Sequence, residues 1–394
     1  MNSWFRVRPV PGACSALMLA LVTAGCATPS GGAGSAQTAG AGSADEPVRN
    51  ILLLIADGAG PGLWTAAAYA SPELAVKRMP VTGLVDTRSG SHKVTDSAAG
   101  ATVFATGERV TNRTIGVGGR CPLPAPRDTV ATQWPEGCEP LESWFTMARA
   151  KGRATGLVTT ASVTDATPAS FVAHSPSRYW MQAIAEQFAE AQLDVLLGGG
   201  RAYFAGETRS DGRDLLAQMC ARADCVATAA GLAAYRPRDR PLIGLLAAAD
   251  FYAEDAPPVS LPDMVRAALA RLERAPRGFV AMFESEATDN ATHDNLPLDR
   301  VSAAILEFDR AVAVALDFAR RTPGTLVIVT SDHETGGVSL VETRDDFELK
   351  YATGGHTAAL VPLFASGAQA ARFAGLRANT EIGRTLLEIV RGWD

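Results

Sequence analysis

Residues 50–57 read Asn-Ile-Leu-Leu-Leu-Ile-Ala-Asp, a short apolar run that ends in a carboxylate. A continuous run of this kind is typical of a strand buried on both faces of a parallel sheet. Similar runs lie at residues 155–158, 195–197, 279–283, 326–331 and 360–364, and helical patterns lie between them at residues 141–151, 178–190, 261–274 and 298–321. The alternation predicts an α/β fold, a three-layer sandwich with a mostly parallel central sheet and helices on both faces.

Acidic residues follow three of these predicted strands. Asp57 comes after the first strand, Glu284 after the strand at 279–283, and Asp332 with His333 after the strand at 326–331. Ligands of such folds bind beyond the carboxyl ends of the strands. We therefore expect these side chains to gather at one edge of the sheet.

The N-terminal segment has the pattern of an export signal. Two arginines precede a short apolar stretch, and residues 1–26 end at Cys26, as in a bacterial lipoprotein signal whose cysteine is lipidated. Thr23 departs from that pattern, so a plain secretory peptide cleaved nearby is the alternative. Residues 27–46, rich in Gly, Ala and Ser, are predicted to be a flexible tether, and residues 47–394 a single domain. The predicted location is the periplasm, or a membrane contacted only through the lipid.

Charge and cysteine content agree with an exported globular protein. A net charge of −6 over 394 residues, with no basic stripe, argues against nucleic acid as the main partner. Beyond the signal, an even number of cysteines indicates disulfides, with three pairings open: Cys121, Cys138, Cys220 and Cys225. The local pairing, Cys121 with Cys138 and Cys220 with Cys225, closes the shortest loops. Residues 118–139 and 205–255 are predicted to be surface excursions.

Residues 94–107 read Val-Thr-Asp-Ser-Ala-Ala-Gly-Ala-Thr-Val-Phe-Ala-Thr-Gly. The run predicts a tightly packed helix with Ser97 at its N-terminus, where free N–H groups and the helix dipole favour an anion. The alternative is that Asp96 and Ser97 only cap the helix.

The chain has five histidines, and three of them have the neighbours that metal ligands need. Asp289 lies four residues before His293, Asp332 adjoins His333, and His356 follows two glycines. Nitrogen and carboxylate ligands without cysteine suit Zn²⁺, and carboxylates with hydroxyls suit Mg²⁺. We interpret Glu286, Asp294 and Asp299 as helix caps or surface ion pairs, His174 as a structural or outer histidine, and His92 as exposed.

These residues resemble the motifs of the alkaline phosphatase family along almost all of residues 48–391. The segments that carry the resemblance are residues 55–60, 94–107, 164–171 with His174 and Arg178, 284–293, 331–333 and 354–356. The resemblance implies two zinc ions and one magnesium ion. For the first zinc it implies the ligands Asp289, His293 and His356. For the second zinc it implies Asp57, Asp332 and His333, and this zinc also touches Ser97. For the magnesium it implies Asp57, Thr167 and Glu284.

The resemblance also implies the activity of the domain at 47–394. It implies an enzyme that hydrolyses phosphate monoesters to an alcohol and phosphate through a phosphoserine at Ser97, with Arg178 binding the phosphate. A homodimer is left open. Asn290 after Asp289, and Asp165 two residues before Thr167, depart from the family pattern and leave the identity of the third metal open.

Three other functions fit the sequence less well. A phosphodiesterase or nucleotide pyrophosphatase of the same superfamily usually carries threonine as nucleophile and lacks the arginine. A sulfatase needs a Cys/Ser-x-Pro-x-Arg run, which the sequence around Ser97 does not have. A metal- or phosphate-binding lipoprotein without turnover would not need Ser97.

Overall fold

The structure is a computed structural model that describes residues 46–127, 133–253, 257–344 and 346–394. The predicted signal, Cys26 and all but the last residue of the predicted tether lie outside the described residues. The strands of the described part are β1 Asn50–Ala56, β2 Val81–Asp86, β3 Val117–Gly119, β4 Cys138–Pro140, β5 Ala154–Ser162, β6 Val195–Gly199, β7 Asp224–Cys225, β8 Leu242–Leu245, β9 Phe279–Ser285, β10 Thr325–Thr330, β11 Glu334–Thr335, β12 Ser339–Glu342, β13 Phe347–Lys350, β14 His356–Thr357, β15 Val361–Gly367 and β16 Gly375–Ala378.

One sheet contains ten of these strands, in the order β16-β2-β15-β10-β1-β9-β5-β6-β8-β7. The strands from β10 to β7 in that order are all parallel, whereas β15 runs antiparallel to both β10 and β2. The remaining strands form three two-stranded pairs: β3 with β4, β11 with β14 and β12 with β13.

Helices cover both faces of the sheet. They are α1 Pro61–Ala70, α2 Ser97–Thr106, α3 Trp144–Ala150, α4 Ala166–Val172, α5 Met181–Ala191, α6 Leu215–Cys220, α7 Ala229–Ala234, α8 Leu261–Leu272, α9 Ala287–His293, α10 Leu298–Arg321 and α11 Asn379–Arg391, with short 3₁₀ helices at Ala75–Arg78, Arg201–Tyr203, Phe251–Ala253 and Ala370–Phe373. The hydrophobic core on one face includes residues of α2, α3, α4, α5 and α11. The core on the other face includes residues of α1, α8 and α10.

Strand β1 shows why the opening run of the sequence has no polar alternation. Ile51, Leu53 and Ile55 belong to one core, and the residues between them belong to the other. Successive side chains of a strand point to opposite faces, so a strand buried on both faces is apolar at nearly every position. The predicted α/β sandwich with a mostly parallel sheet is therefore confirmed.

The prediction of a surface excursion over residues 205–255 is wrong in part. Strands β7 and β8 extend the main sheet beyond β6, and all four residues of β8 are buried. A strand this short lacks a periodic signal, and its burial depends on pairing with β6. The described residues of the range 118–139 do leave the main sheet, and they include parts of the β3–β4 pair.

The cysteines adopt the local pairing. Disulfides join Cys121 to Cys138 and Cys220 to Cys225. The first disulfide closes the β3–β4 excursion. No helix in the described part of the chain has the length and apolar character that crossing a bilayer requires.

Candidate active site

The carboxyl ends of three neighbouring strands bring the predicted acidic residues to one edge of the sheet. Ile55 of β1 lies beside Glu284 of β9 on one side and Thr330 of β10 on the other. Asp57 and Asp332 follow this row at the ends of their strands. Because parallel neighbours end at the same edge, residues separated by more than two hundred positions meet here.

Ser97 lies at the same edge, as the first residue of α2. Asp96 caps the helix by accepting a hydrogen bond from the backbone N–H of Ala99 at 3.2 Å. Ser97 is only 6% exposed, and its Oγ lies 3.2 Å from Nε2 of His333. Helix α2 therefore has both features: Asp96 caps it, and Ser97 lies among candidate metal ligands.

Asp289, His293 and His356 form a first group, with ligand atoms that all lie within 4.8 Å of one another. Nδ1 of His293 lies 2.7 Å from the carbonyl oxygen of Gly354, and Nδ1 of His356 lies 2.9 Å from that of Thr95. A carbonyl oxygen only accepts, so each Nδ1 carries the proton. The two Nε2 atoms then face each other at 3.1 Å. Imidazoles oriented by a carbonyl at Nδ1 are typical of metal ligands that bind through Nε2.

Asp57, Asp332 and His333 form a second group, in which each residue is at most 1% exposed. Nε2 of His333 lies 3.2 Å from Oδ1 of Asp57 and 3.3 Å from Oδ2 of Asp332. These contacts do not have hydrogen-bond geometry: Oδ1 of Asp57 and both carboxylate oxygens of Asp332 are buried without a hydrogen-bond partner. Burying an uncompensated carboxylate is costly, so this group fits a bound cation.

Asp57 also belongs to a third group, with Glu284 and Glu286. Thr159 donates a hydrogen bond to Oε2 of Glu284 at 2.6 Å, and Oε1 of Glu284 is buried with no hydrogen-bond partner. The hydroxyl of Thr167 donates to Oδ2 of Asp57 at 3.3 Å. All the candidate ligand atoms of this group are oxygens.

Arg178 lies beside Ser97 in the network of hydrogen bonds. Its Nη1 lies 3.2 Å from Oδ2 of Asp96, and its Nη2 lies 3.0 Å from Oδ1 of Asp165. Its backbone N–H donates to the carbonyl oxygen of Arg113, and the N–H of Arg113 donates to both carboxylate oxygens of Asp96, at 3.0 and 3.1 Å. Asp96 therefore links the position of the serine helix to the orientation of the guanidinium.

Burial and like charge perturb the acidic residues of this edge. Burial raises the pKa of Glu284 to about 8 and that of Asp332 to about 7. Burial also raises the pKa of Asp57 well above its ordinary value, and the charges of Asp332 and Asp289 add to this effect. The hydrogen bond from His293 to Asp289 raises the pKa of that histidine to about 9. Perturbation of this kind is typical of functional sites.

The structure brings together all the residues that the sequence singled out for the site: Asp57, Ser97, Thr167, Arg178, Glu284, Asp289, His293, Asp332, His333 and His356. Of the two remaining histidines, the ring of His174 contacts the carbonyl oxygen of Leu141 at 2.9 Å, and His92 is exposed, as predicted.

The interpretation of Glu286 as a helix cap or surface ion pair is wrong. Glu286 occupies the residue before α9, but its side chain makes no capping hydrogen bond, and it lies in the third group instead. The sequence also missed Arg113 and Thr159. Thr159 carries a usable signal, because it lies near the end of a predicted strand beside the strand of Glu284. Arg113 carries none, since its backbone makes the contacts.

Comparison with known proteins defines the class of enzyme. The sequence matches the family model for alkaline phosphatase over residues 48–350. It is 34% identical to streptomycin-6-phosphate phosphatase of Streptomyces griseus, with 89% of this chain and 92% of that protein covered. It is 30% identical to the alkaline phosphatase of Escherichia coli (strain K12), with 87% and 86% covered.

A solved structure supports the same assignment. A variant of TAB5 alkaline phosphatase with Mg bound in its M3 site matches with a TM-score of 0.74 and 30% identity, covering 89% of this chain and 99% of that one. The chain therefore belongs to the alkaline phosphatase family, and it is an enzyme of that family.

Proposed function

We propose that the enzyme hydrolyses phosphate monoesters to an alcohol and inorganic phosphate, with Ser97 as the nucleophile and Arg178 as the phosphate-binding residue. One observation carries this proposal: Asp96 both caps the helix that begins at Ser97 and pairs with Arg178. A nucleophile and a planar cation held by one carboxylate suit a substrate with a tetrahedral, doubly charged phosphoryl group.

The candidate ligands fit two zinc ions and one magnesium ion. The first two groups combine imidazole nitrogen with carboxylate oxygen, which suits Zn²⁺. The third offers only oxygen, which suits Mg²⁺. The buried carboxylate oxygens of Asp57, Asp332 and Glu284 that have no hydrogen-bond partner support this assignment. Bound cations would supply the positive charge that stabilises a deprotonated serine oxygen and the leaving oxygen.

The chain's own residues then perform the transfer. A serine hydroxyl is a weak nucleophile at its free pKa and needs activation, which the cations would provide. Oγ of Ser97 gives its proton to water and forms a bond to phosphorus while the bond to the ester oxygen breaks, and the leaving alcohol takes a proton back from water. A second water attacks the phosphoserine and the bond from Oγ to phosphorus breaks. One proton of this water passes to Oγ of Ser97, and its OH group leaves as part of the phosphate.

Arg178 has a distinct part in this sequence of steps. Its guanidinium can donate two parallel hydrogen bonds to non-bridging phosphoryl oxygens. Asp96 and Asp165 hold the side chain, which is 18% exposed, so little conformational entropy remains to be lost on binding. A monoester presents more charge to this cation than a diester does. The arrangement therefore favours monoesters.

The proposal is tested with Ser97→Ala. We expect the variant to lose hydrolysis of a chromogenic phosphate monoester almost completely, because no other hydroxyl takes the place of Oγ in the described network. Zinc content should remain that of the wild type, since the other ligands are unchanged. In parallel, the turnover of three substrates by the metal-loaded wild type is measured: a monoester, a diester and a sulfate ester. Full residual activity in Ser97→Ala, or a preference for the diester, would overturn the proposal.

A further inference from the structure

The third group contains a carboxylate, Glu286, that is not among the magnesium ligands implied by the resemblance, which are Asp57, Thr167 and Glu284. We propose that Glu286 is a direct ligand of the third cation, together with Asp57 and Glu284, and that it strengthens the binding of Mg²⁺ there. This inference rests on the proposed function only for the presence of a third cation. It concerns an additional ligand on this chain.

The geometry of the three carboxylates suits one ion. Each of Asp57, Glu284 and Glu286 offers an oxygen, and these oxygens all lie within 4.8 Å of one another. Octahedral Mg²⁺ with oxygens at about 2.1 Å separates its ligands by about 3 to 4.2 Å, so carboxylates at this spacing close around an ion with small adjustments.

One of the three carboxylates presents a buried oxygen with no partner. Oε1 of Glu284, a residue that is 0% exposed, is buried and has no hydrogen-bond partner, whereas Oδ1 of Asp57 faces Nε2 of His333 in the second group. The other oxygen of Glu284, Oε2, accepts the hydrogen bond from Thr159. The unpaired oxygen of Glu284 therefore identifies a place that suits a cation, independently of the number of acidic residues around it.

The backbone fixes Glu286 at this place. Its N–H donates to Oγ1 of Thr160 at 2.9 Å, and its carbonyl oxygen accepts from the N–H groups of Asp289 and Asn290 at 3.1 and 3.2 Å. Glu286 thus lies in the turn between the end of β9, which carries Glu284, and the first turn of α9, which carries Asp289. Because the backbone of Glu286 is already held at both ends of this turn, binding an ion through its carboxylate costs no backbone freedom.

The other uses of this carboxylate are not realised in the described residues. Glu286 makes no capping hydrogen bond to α9 and is in no ion pair there; the partners of Arg178 are Asp96 and Asp165. A partly exposed carboxylate beside two buried ones increases the like-charge repulsion among deprotonated carboxylates. A cation bound between the three would relieve this repulsion.

The test measures metal binding without substrate. Four proteins are stripped with chelator and reloaded with Zn²⁺: wild type, Glu286→Gln, Glu286→Ala and the control Glu207→Gln. Glu207 is an exposed glutamate far from Glu286 in the sequence. Mg²⁺ is then titrated, and bound Mg²⁺ and Zn²⁺ per chain are measured by mass spectrometry after equilibrium dialysis. Glu286→Gln keeps the side-chain shape and removes the charge, and Glu286→Ala removes the ligand as well. Circular dichroism checks that each variant folds.

We expect Glu286→Ala to weaken Mg²⁺ binding at least about tenfold, and Glu286→Gln to weaken it less, while Zn²⁺ content and the Glu207→Gln control stay at the wild-type level. Mg²⁺ should raise the Tm of the zinc-loaded wild type more than that of Glu286→Ala. Unchanged Mg²⁺ affinity, or loss of Zn²⁺ together with Mg²⁺, would overturn the proposal. Failure of the proposed function would instead appear as absent monoester turnover by a wild type that binds Mg²⁺ normally.

Discussion

Arg178 illustrates how neighbouring residues prepare one side chain for an anion. Burial alone would lower the pKa of its guanidinium, but the carboxylates of Asp165 and Asp96 outweigh this effect and raise the pKa. The group therefore stays charged at any pH at which the protein folds. Removing it would leave two carboxylates facing the proposed phosphoryl site, which adds repulsion to the loss of hydrogen bonds.

We expect Arg178→Ala to lower kcat/KM for a phosphate monoester by about 100-fold, the size of effect seen when a charge-stabilising donor is removed from an active site. The loss for a diester should be smaller, because a diester has less charge to bind. Steady-state kinetics with both substrates checks this. Arg320→Ala, an exposed arginine paired with Asp317 on α10, is the control. Equal losses on both substrates would contradict the preference for monoesters.

At the scale of elements, the site depends on how closely α2 packs on the end of β10. Every residue of α2 is buried. Gly100 faces the backbone of Asp332, and a Cβ at Gly100 would lie 2.8 Å from the carbonyl oxygen of that residue. A side chain here would push the helix away from Asp332 and His333, and Ser97 would move with it. Gly231 in α7 differs, since the atom nearest to its added Cβ is the Thr228 hydroxyl at 3.3 Å.

We therefore predict that Gly100→Ala costs about 1–3 kcal/mol of unfolding free energy through overpacking, and that it lowers kcat. Gly231→Ala should stay within about 1 kcal/mol of wild type and keep full activity, because its backbone conformation admits a side chain. Urea unfolding of both metal-loaded variants, with monoester kinetics, tests the pair. If the two variants behave alike, the contact between α2 and Asp332 is not limiting.

At the scale of the whole molecule, the carboxyl groups gathered at one edge of the sheet make the stability of the metal-free protein depend on pH. The pKa values of Asp332, Glu284 and His293 are all raised, to about 7, 8 and 9. A raised pKa means that the folded protein holds the proton more tightly than the unfolded chain does. For Asp332, the stability that comes from this tighter proton binding is fully present below the ordinary carboxyl pKa of 3.8. It is lost as the pH rises through the raised pKa of about 7.

We predict that the Tm of chelator-treated enzyme falls as the pH rises from about 5 to 8, because Glu284 and Asp332 must give up protons in a buried site. The Tm of metal-loaded enzyme should not follow this fall, since cations bind the deprotonated ligands and bind them more tightly at higher pH. Thermal melts of both forms across this range measure the difference. A Glu284→Gln variant should show a smaller fall when metal-free, and parallel curves for both forms would contradict the account.

Local pattern predicted most of the central strands because each contains a short apolar run that lies between helical stretches. Strand β1 is the clearest case, and the site residues that follow strands were found by the same rule. The edge strands were harder. Strand β2 pairs with both β16 and β15, and the alternating or polar residues of β2 and β16 do not distinguish these strands from loops.

The sequence by itself determined the α/β fold and the residues at the ends of β1, β9 and β10, since apolar periodicity and strand ends are properties of neighbouring residues. Only the tertiary structure decided that Glu286 lies with Asp57 and Glu284, and that the backbone of Arg113 holds both Asp96 and Arg178. These contacts join segments far apart in the chain through side-chain direction and main-chain hydrogen bonds. Such contacts depend on how the sheet and helices pack, and no local pattern records them.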